Sequence, residues 1–114
     1  RAVFAVGRDG GSGELWAKGR FETGTGVDNI DVDADGVLWV GAHPKLLTFV
    51  GHSKDAAKLS PSQVLRIDPA SGRVSEIYLN NGEELSGSSV AAHFGKRLLI
   101  GPVLDPKFLD CTLP

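Results

Sequence analysis

The sequence has no methionine and only one cysteine, Cys111, among its 114 residues. It begins with Arg1, whereas a translation product begins with Met, so we expect a processed or trimmed N-terminus or a fragment boundary. A lone cysteine excludes a disulfide within the chain. Cys111 is then either a small buried hydrophobic residue or the partner of a cysteine in a segment outside this chain.

The sequence also lacks long apolar runs and an excess of basic charge. No apolar stretch approaches the ~20 residues that a membrane-spanning helix needs. The formal net charge of −2 gives no reason to expect nucleic acid or an anionic membrane surface as a partner. The hydrophobic content of 41% is that of an ordinary globular domain, so the chain is long and apolar enough to form a core.

What the sequence does contain is an internal repeat. Residues 28–41 align without a gap on residues 88–101, and both copies have alternating apolar residues, a tight turn and an apolar run that ends in glycine. The match extends backwards, because residues 3–6 are similar to residues 64–67. Repetition at this spacing is typical of stacked β units such as propeller blades. Since two copies are too few to close a ring, the sequence predicts an all-β part of a propeller, about two blades of four-stranded antiparallel sheet, incomplete on its own.

Short runs rich in Val, Ile, Leu and aromatic residues alternate with turns that contain many of the 15 glycines. They predict strands near residues 2–7, 14–22, 27–33, 36–42, 62–68, 73–80, 88–94, 97–101 and 108–111. Grouped by the repeat, residues 1–22 form two outer strands of one blade and residues 27–80 form a complete blade. Residues 88–111 form three strands of a last blade that lacks one strand. The segment 44–61 has no strand alternation, so we expect an insertion with one helical turn around residues 45–50.

The stretch Asp31–Gly36 is similar to the opening of an EF-hand calcium loop. The twelfth position of that loop needs a bidentate carboxylate, and Ala42 stands there. Residues 37–40 have the pattern of a strand. The acidic residues are therefore interpreted as the cap of a hairpin turn.

Two other places hold candidate functional side chains. Asp28 and Asn29 begin the innermost strand of the complete blade, which lies beside the central channel of a propeller. Their oxygens suit Ca²⁺, which takes about six to eight oxygen ligands, but the same pair is also a common turn-favouring start to a strand. His43 leaves the sheet just before Pro44 and is either an acid, base or substrate contact or an ordinary loop histidine. The other two histidines have no supporting sequence context.

These features resemble the C-terminal third of the paraoxonase (serum paraoxonase/arylesterase) family. The resemblance rests on runs that keep their order and approximate spacing: residues 27–33, 38–44, 64–67, 98–101 and 108–111. Members of that family are six-bladed β-propellers that hold two calcium ions in a central tunnel and hydrolyse lactones and aryl esters. The resemblance therefore implies a six-bladed propeller and calcium-dependent ester chemistry for this chain.

The resemblance also implies roles for particular residues. Asp28 and Asn29 would be ligands of the catalytic calcium ion, His43 would line the active-site mouth, and Cys111 would bond to a cysteine near the family's N-terminus. The family's histidine dyad and its remaining calcium ligands would lie in N-terminal blades outside this chain. The expected partners are a small lactone or ester substrate and those missing blades, in the same chain or a separate one. The resemblance further suggests a secreted, periplasmic or membrane-associated location.

The sequence thus predicts the C-terminal portion of a calcium-dependent lactonase or arylesterase that works by metal-assisted attack of water. This chain alone is expected to be inactive. Two alternatives stay open. One is a non-enzymatic propeller fragment that acts as an interaction module through its open edges. The other is a gluconolactonase-like calcium enzyme, which would share the metal chemistry and differ in its substrate.

Overall fold

A computed structural model describes all 114 residues and contains nine strands and one helix. The strands are β1 (Ala2–Arg8), β2 (Leu15–Glu22), β3 (Gly26–Val32), β4 (Leu38–His43), β5 (Ser62–Asp68), β6 (Arg73–Asn80), β7 (Ser88–Phe94), β8 (Arg97–Pro102) and β9 (Leu109–Thr112). The nine predicted strands are confirmed to within two residues at each end. The helix α1 spans Leu46–Lys54, so the predicted single turn around residues 45–50 was too short. This helix is not long enough to cross a membrane.

The strands form three antiparallel sheets that follow one another along the chain. β1 and β2 make the first sheet, β3 to β6 make the central sheet in sequential order, and β7 to β9 make the third sheet. The all-β class and the antiparallel arrangement are therefore confirmed. The three sheets occupy the segments that the repeat delimits, and their assignment as blades of one propeller stays a prediction.

The hairpin between β3 and β4 shows how local sequence dictates a turn. The Asp33 carboxylate accepts hydrogen bonds from the backbone N–H groups of Asp35 at 2.9 Å and Val37 at 3.0 Å. Gly36 adopts a φ of 79°, which glycine enters without steric cost. These contacts confirm the interpretation of residues 31–36 as a hairpin turn.

The central sheet is buried on both faces because the other two sheets pack against it. Toward the first sheet the core consists of Val3, Val40, Ala42, Leu65 and Ile67. Toward the third sheet it consists of Val37, Trp39, Val64, Leu85, Ala91, Leu98 and Ile100. Successive side chains of a strand point to opposite faces, so the neighbours Trp39 and Val40 contribute to different clusters. This two-sided burial explains why residues 38–42 of β4 carry no polar side chain other than the indole N–H of Trp39.

The third sheet approaches the central sheet closely at Gly41. β7 lies across β3, β4 and β5, and it has a bulge between Ser88 and Val90. A Cβ atom at position 41 would lie 2.3 Å from the carbonyl carbon of Ser89 and 2.5 Å from the nitrogen of Val90. Because both are backbone atoms, no side-chain rotation could relieve such a contact. Glycine at position 41 is therefore required for the two sheets to meet at this distance.

A polar cluster crosses the same interface between the central and third sheets. Trp39 Nε1 donates a hydrogen bond to Asp33 Oδ2 at 2.9 Å, and His93 Nδ1 lies 3.1 Å from the same oxygen. The rings of His93 and Trp39 are stacked, with centroids 4.5 Å apart. The Asp33 side chain is only 7% exposed. The hydrogen bond from Trp39 is the main cause that lowers the pKa of Asp33, against the opposing effect of burial.

We predict that Gly41→Ala lowers the free energy of unfolding of the purified protein by about 3 kcal/mol, the upper part of the usual range for overpacking. The physical reason is that the added methyl group must displace the backbone of β7. Gly51→Ala in α1 is the matched control, because no atom lies within 4 Å of a Cβ at that position. There alanine is expected to stabilise the helix by about 0.5–1 kcal/mol. Equal effects of the two substitutions in urea unfolding would contradict the close packing at Gly41.

We also predict an acid-sensitive contribution from Asp33. Folding lowers the pKa of this carboxyl below its ordinary value of 3.8, so its contribution to stability is present above that pH and is lost as the pH falls through the lowered value. Asp33→Asn is expected to lower the free energy of unfolding by about 1–3 kcal/mol at pH 7. As the pH falls, the free energy of unfolding should decrease less in Asp33→Asn than in the wild type.

Urea unfolding between pH 7 and pH 3 measures this effect. Asp35→Asn serves as the control, because Asp35 is exposed and its carboxylate makes no hydrogen bond within the chain. A surface change of this kind is expected to stay within about 0.5 kcal/mol of the wild type. Parallel acid profiles for the wild type and Asp33→Asn would count against the proposed role of Asp33.

Candidate functional site

Asp28 and Asn29 lie in a β-bulge of β3. Both residues stand opposite the single residue Gly41 of β4, because the pairing register shifts between Val27 and Ile30. A bulge interrupts the alternation of side chains and redirects them, and bulges are frequent next to functional sites. Asp28 and Asn29 are both exposed, so their side-chain oxygens are accessible to a ligand.

The structure brings Asp28 and His43 into direct contact. His43 is the last residue of β4, and its Nε2 lies 3.1 Å from Asp28 Oδ2. An ionised carboxylate only accepts hydrogen bonds, so Nε2 of His43 donates and bears a proton. The His43 side chain is 4% exposed and that of Asp28 is 34% exposed, so solvent reaches the pair from the side of Asp28. Nδ1 of His43 is buried and has no hydrogen-bond partner within the chain.

The helix α1 covers His43 with an aromatic side chain. Phe49 stacks on the His43 imidazole, with ring centroids 3.7 Å apart and an angle of 19° between the planes. The segment 44–61 was predicted as an insertion with one helical turn, but no feature of its sequence predicted this stack. The helix starts after Lys45 without a side-chain cap, so the usual sequence mark of a helix start is missing.

The remaining histidines have different surroundings. His52 is the only buried residue of α1, and sequence reasoning gave it no role. Its Nδ1 lies 2.6 Å from the backbone oxygen of Lys58, while its Nε2 is buried without a partner. His93 lies outside this site, because it pairs with Asp33 at the sheet interface. A lone histidine in a polar segment gives no sequence signal that it will be buried.

The side chains of the site fit part of a calcium site. Asp28 supplies a carboxylate and Asn29 an amide carbonyl, and both are hard oxygen ligands of the kind that calcium prefers. Asp28 Oδ1 makes no hydrogen bond within the chain, so it is available to a cation. No group of three or more His, Cys, Asp or Glu side chains lies close enough together to hold a metal ion. Asp28 and Asn29 would supply only part of the roughly six to eight oxygens that calcium takes, so a calcium site would need further oxygen ligands.

Cys111 belongs to a different sheet from Asp28, Asn29 and His43. It lies in β9 and packs against the apolar cluster between the central and third sheets. Burial is the main cause that raises the pKa of its thiol, and the charge of Glu84 adds to the effect. As the one cysteine of the chain it is a free thiol here, and the disulfide implied by the resemblance stays a prediction.

Comparison with known proteins gives consistent matches. Residues 14–113 match the family model described as Arylesterase. The chain is 41% identical over 91 residues to serum paraoxonase/arylesterase 1 of Homo sapiens, covering 76% of this chain and 25% of that protein. It is 42% identical over 96 residues to serum paraoxonase/lactonase 3 of Rattus norvegicus, covering 81% of this chain and 26% of that protein. The chain thus spans about a quarter of the length of the curated relatives it matches.

Proposed function

Because the chain belongs to the paraoxonase/arylesterase family, we propose that it forms the C-terminal portion of a calcium-dependent hydrolase of lactones or aryl esters. The observation that carries this proposal is the contact between Asp28 and His43. These two residues are 15 positions apart, and each was selected from the sequence for a separate reason. Asp28 lies in the bulge next to Asn29, so the three candidate residues Asp28, Asn29 and His43 lie close together.

The apolar surfaces of the outer sheets support a larger propeller, which we propose has six blades. Val3 faces the central sheet, so its neighbour Phe4 faces away from it and is 62% exposed. In the third sheet Ala91 faces the central sheet, whereas Phe94 faces away and is 86% exposed. Large exposed apolar faces commonly mark surfaces that another element covers. We propose that further blades, in the same chain or a separate one, cover both faces.

Each residue of the site has a distinct role in the proposed chemistry. Asp28 and Asn29 would hold the calcium ion together with ligands from other blades. A bound calcium ion supplies positive charge for the oxyanion that develops when water attacks an ester carbonyl. His43 fixes one carboxylate oxygen of Asp28 through its Nε2–H and leaves the other oxygen free of hydrogen bonds. Phe49 shields the imidazole of His43 from water.

The exposed apolar faces also favour a second candidate function. A non-enzymatic propeller part could bind another protein through the same faces of the first and third sheets. This alternative predicts that the full-length protein shows no calcium-dependent hydrolysis. A gluconolactonase-like enzyme would keep the calcium dependence but prefer sugar lactones, so a panel of lactones and aryl esters separates the three hypotheses.

We predict that Asp28→Ala in the full-length protein abolishes calcium-supported hydrolysis of an aryl ester and of a lactone. Loss of one carboxylate ligand and of the partner of His43 should lower kcat/KM by more than about 100-fold. The matched control is Asp35→Ala, whose carboxylate is exposed and makes no hydrogen bond within the chain. Initial rates with chelator and with calcium restored are the measurement. Substantial calcium-dependent activity in Asp28→Ala would show that the ligand assignment is wrong.

We further propose that Cys111 is bonded to a cysteine outside this chain. Peptide mapping of the full-length protein without reduction is expected to find Cys111 in a disulfide. Cys111→Ser is then expected to lower the free energy of unfolding by about 2–4 kcal/mol. Quantitative alkylation of Cys111 in the unreduced, unfolded protein would contradict the disulfide and favour a buried free thiol.

A further inference from the structure

His52 is held between the segment that follows α1 and the segment that precedes β7. Its Nδ1 lies 2.6 Å from the backbone oxygen of Lys58. On the other side its ring lies against Gly87, where a Cβ atom would be 2.8 Å from Cδ2 of the imidazole. Gly87 has a φ of 64°, so glycine is favoured there both by backbone conformation and by the space that His52 occupies.

The hydrogen bond to Lys58 fixes the protonation of one ring nitrogen. A backbone carbonyl only accepts hydrogen bonds, so Nδ1 of His52 is the donor. The hydroxyl of Ser86 is 3.5 Å from the same nitrogen, which is too long to compete with a contact of 2.6 Å. That hydroxyl instead accepts a hydrogen bond from the backbone N–H of Ser60 at 2.8 Å. The single strong contact of the imidazole therefore runs from Nδ1 to Lys58.

The segment that supports His52 is itself tied to the central sheet. The backbone N–H of Gly87 donates to the oxygen of Ser60 at 3.0 Å. Ser62 Oγ donates to the oxygen of Leu85, and the backbone N–H of Ser88 donates to Ser62 Oγ at 3.0 Å. These bonds join the beginning of β5 to the beginning of β7. The segments against which α1 packs are therefore held in place by hydrogen bonds of their own, which do not involve the helix.

Phe49 connects the segment around Gly87 with the candidate site. A Cβ atom at Gly87 would lie 3.3 Å from Cε2 of Phe49, so that ring also rests on the glycine. The Phe49 ring is 6.3 Å from His52 and 3.7 Å from His43, measured between centroids. A continuous series of contacts therefore leads from His52, through α1 and Phe49, to the pair of His43 and Asp28.

We propose that His52 is a positioning residue for the hydrolysis proposed above, on which this inference rests. The hydrogen bond from its Nδ1 to Lys58 ties α1 to the segment that Ser60 joins to Gly87. In that position Phe49 keeps the His43 imidazole at the carboxylate of Asp28. His52 itself touches neither substrate nor metal in this scheme, and its effect on the reaction passes through Phe49.

The side chains of asparagine and glutamine test the proposed hydrogen bond, because they replace different ring nitrogens. The amide of asparagine can occupy the place of Nδ1, whereas that of glutamine reaches toward Nε2. In the full-length protein with saturating calcium, His52→Gln and His52→Leu are expected to lower kcat by about 10- to 100-fold, the cost of a small misplacement of reacting groups. KM should change less than kcat, and His52→Asn should retain activity within about threefold of the wild type.

A double-mutant cycle tests whether His52 acts through Phe49. If it does, His52→Leu should lower kcat by less than about twofold when Phe49→Leu is already present, because both substitutions then remove the same effect. His93→Leu is the control for a general loss of stability, since His93 is another largely buried histidine, and its hydrogen bond goes to Asp33 at the sheet interface. If the double variant loses kcat by the product of the two single losses, the proposal is overturned. It is also overturned if His93→Leu loses as much kcat as His52→Leu.

Hydrogen exchange provides a readout that does not depend on activity. Amides of residues 46–54 are expected to exchange at least about tenfold faster in His52→Leu and His52→Gln than in the wild type, but not in His52→Asn. Unchanged exchange in His52→Leu would overturn the proposal whatever the activity of the protein. A wild type that hydrolyses neither ester nor lactone would instead contradict the proposed function, and the exchange experiment would still test the hold of His52 on α1.

Discussion

The close approach of the β7 backbone to Gly41 is the constraint on which most of this structure depends. Because Gly41 has no side chain, the backbone of Ser89 can approach it and the third sheet can pack closely against the central sheet. Within its own sheet, Gly41 stands opposite the bulge that contains Asp28 and Asn29. One glycine therefore connects the packing of two sheets with the geometry of the candidate site. A side chain there would disturb both, because the strand that carries it has no free face.

The site combines a rigid strand end with an inserted helix. His43 is buried at the end of β4, and its Nε2 is directed at a carboxylate that solvent can reach. The insertion between β4 and β5 is not a free loop, because α1 stacks Phe49 on His43 and buries His52 against Gly87. The polar partner of His43 thus contacts the edge of the imidazole at Nε2, and the apolar cover contacts its face. This arrangement restricts the orientation of the imidazole.

Much of the fold could be predicted from the sequence, and the site could be predicted only in part. Alternating apolar residues and glycine-containing turns were sufficient for the strands, because strand pairing in hairpins is local. The length of α1 was not predictable, since Thr48 and Gly51 are poor helix formers and the helix has no capping side chain. The contact between Asp28 and His43 depends on a bulge, and the sequence of β3 alone does not show which residue of β4 the two bulged residues face. The burial of His52 depends on Gly87, which lies far along the chain, just before β7.

The central claim is that this chain completes its fold and its calcium site only together with further blades. Native mass spectrometry of the purified protein, with and without a calcium chelator, tests that claim most directly. The account predicts a species much heavier than this chain, with the remaining blades present and with bound calcium that is lost on chelation. A species that consists only of this chain or of copies of it, with no bound calcium, would contradict the account.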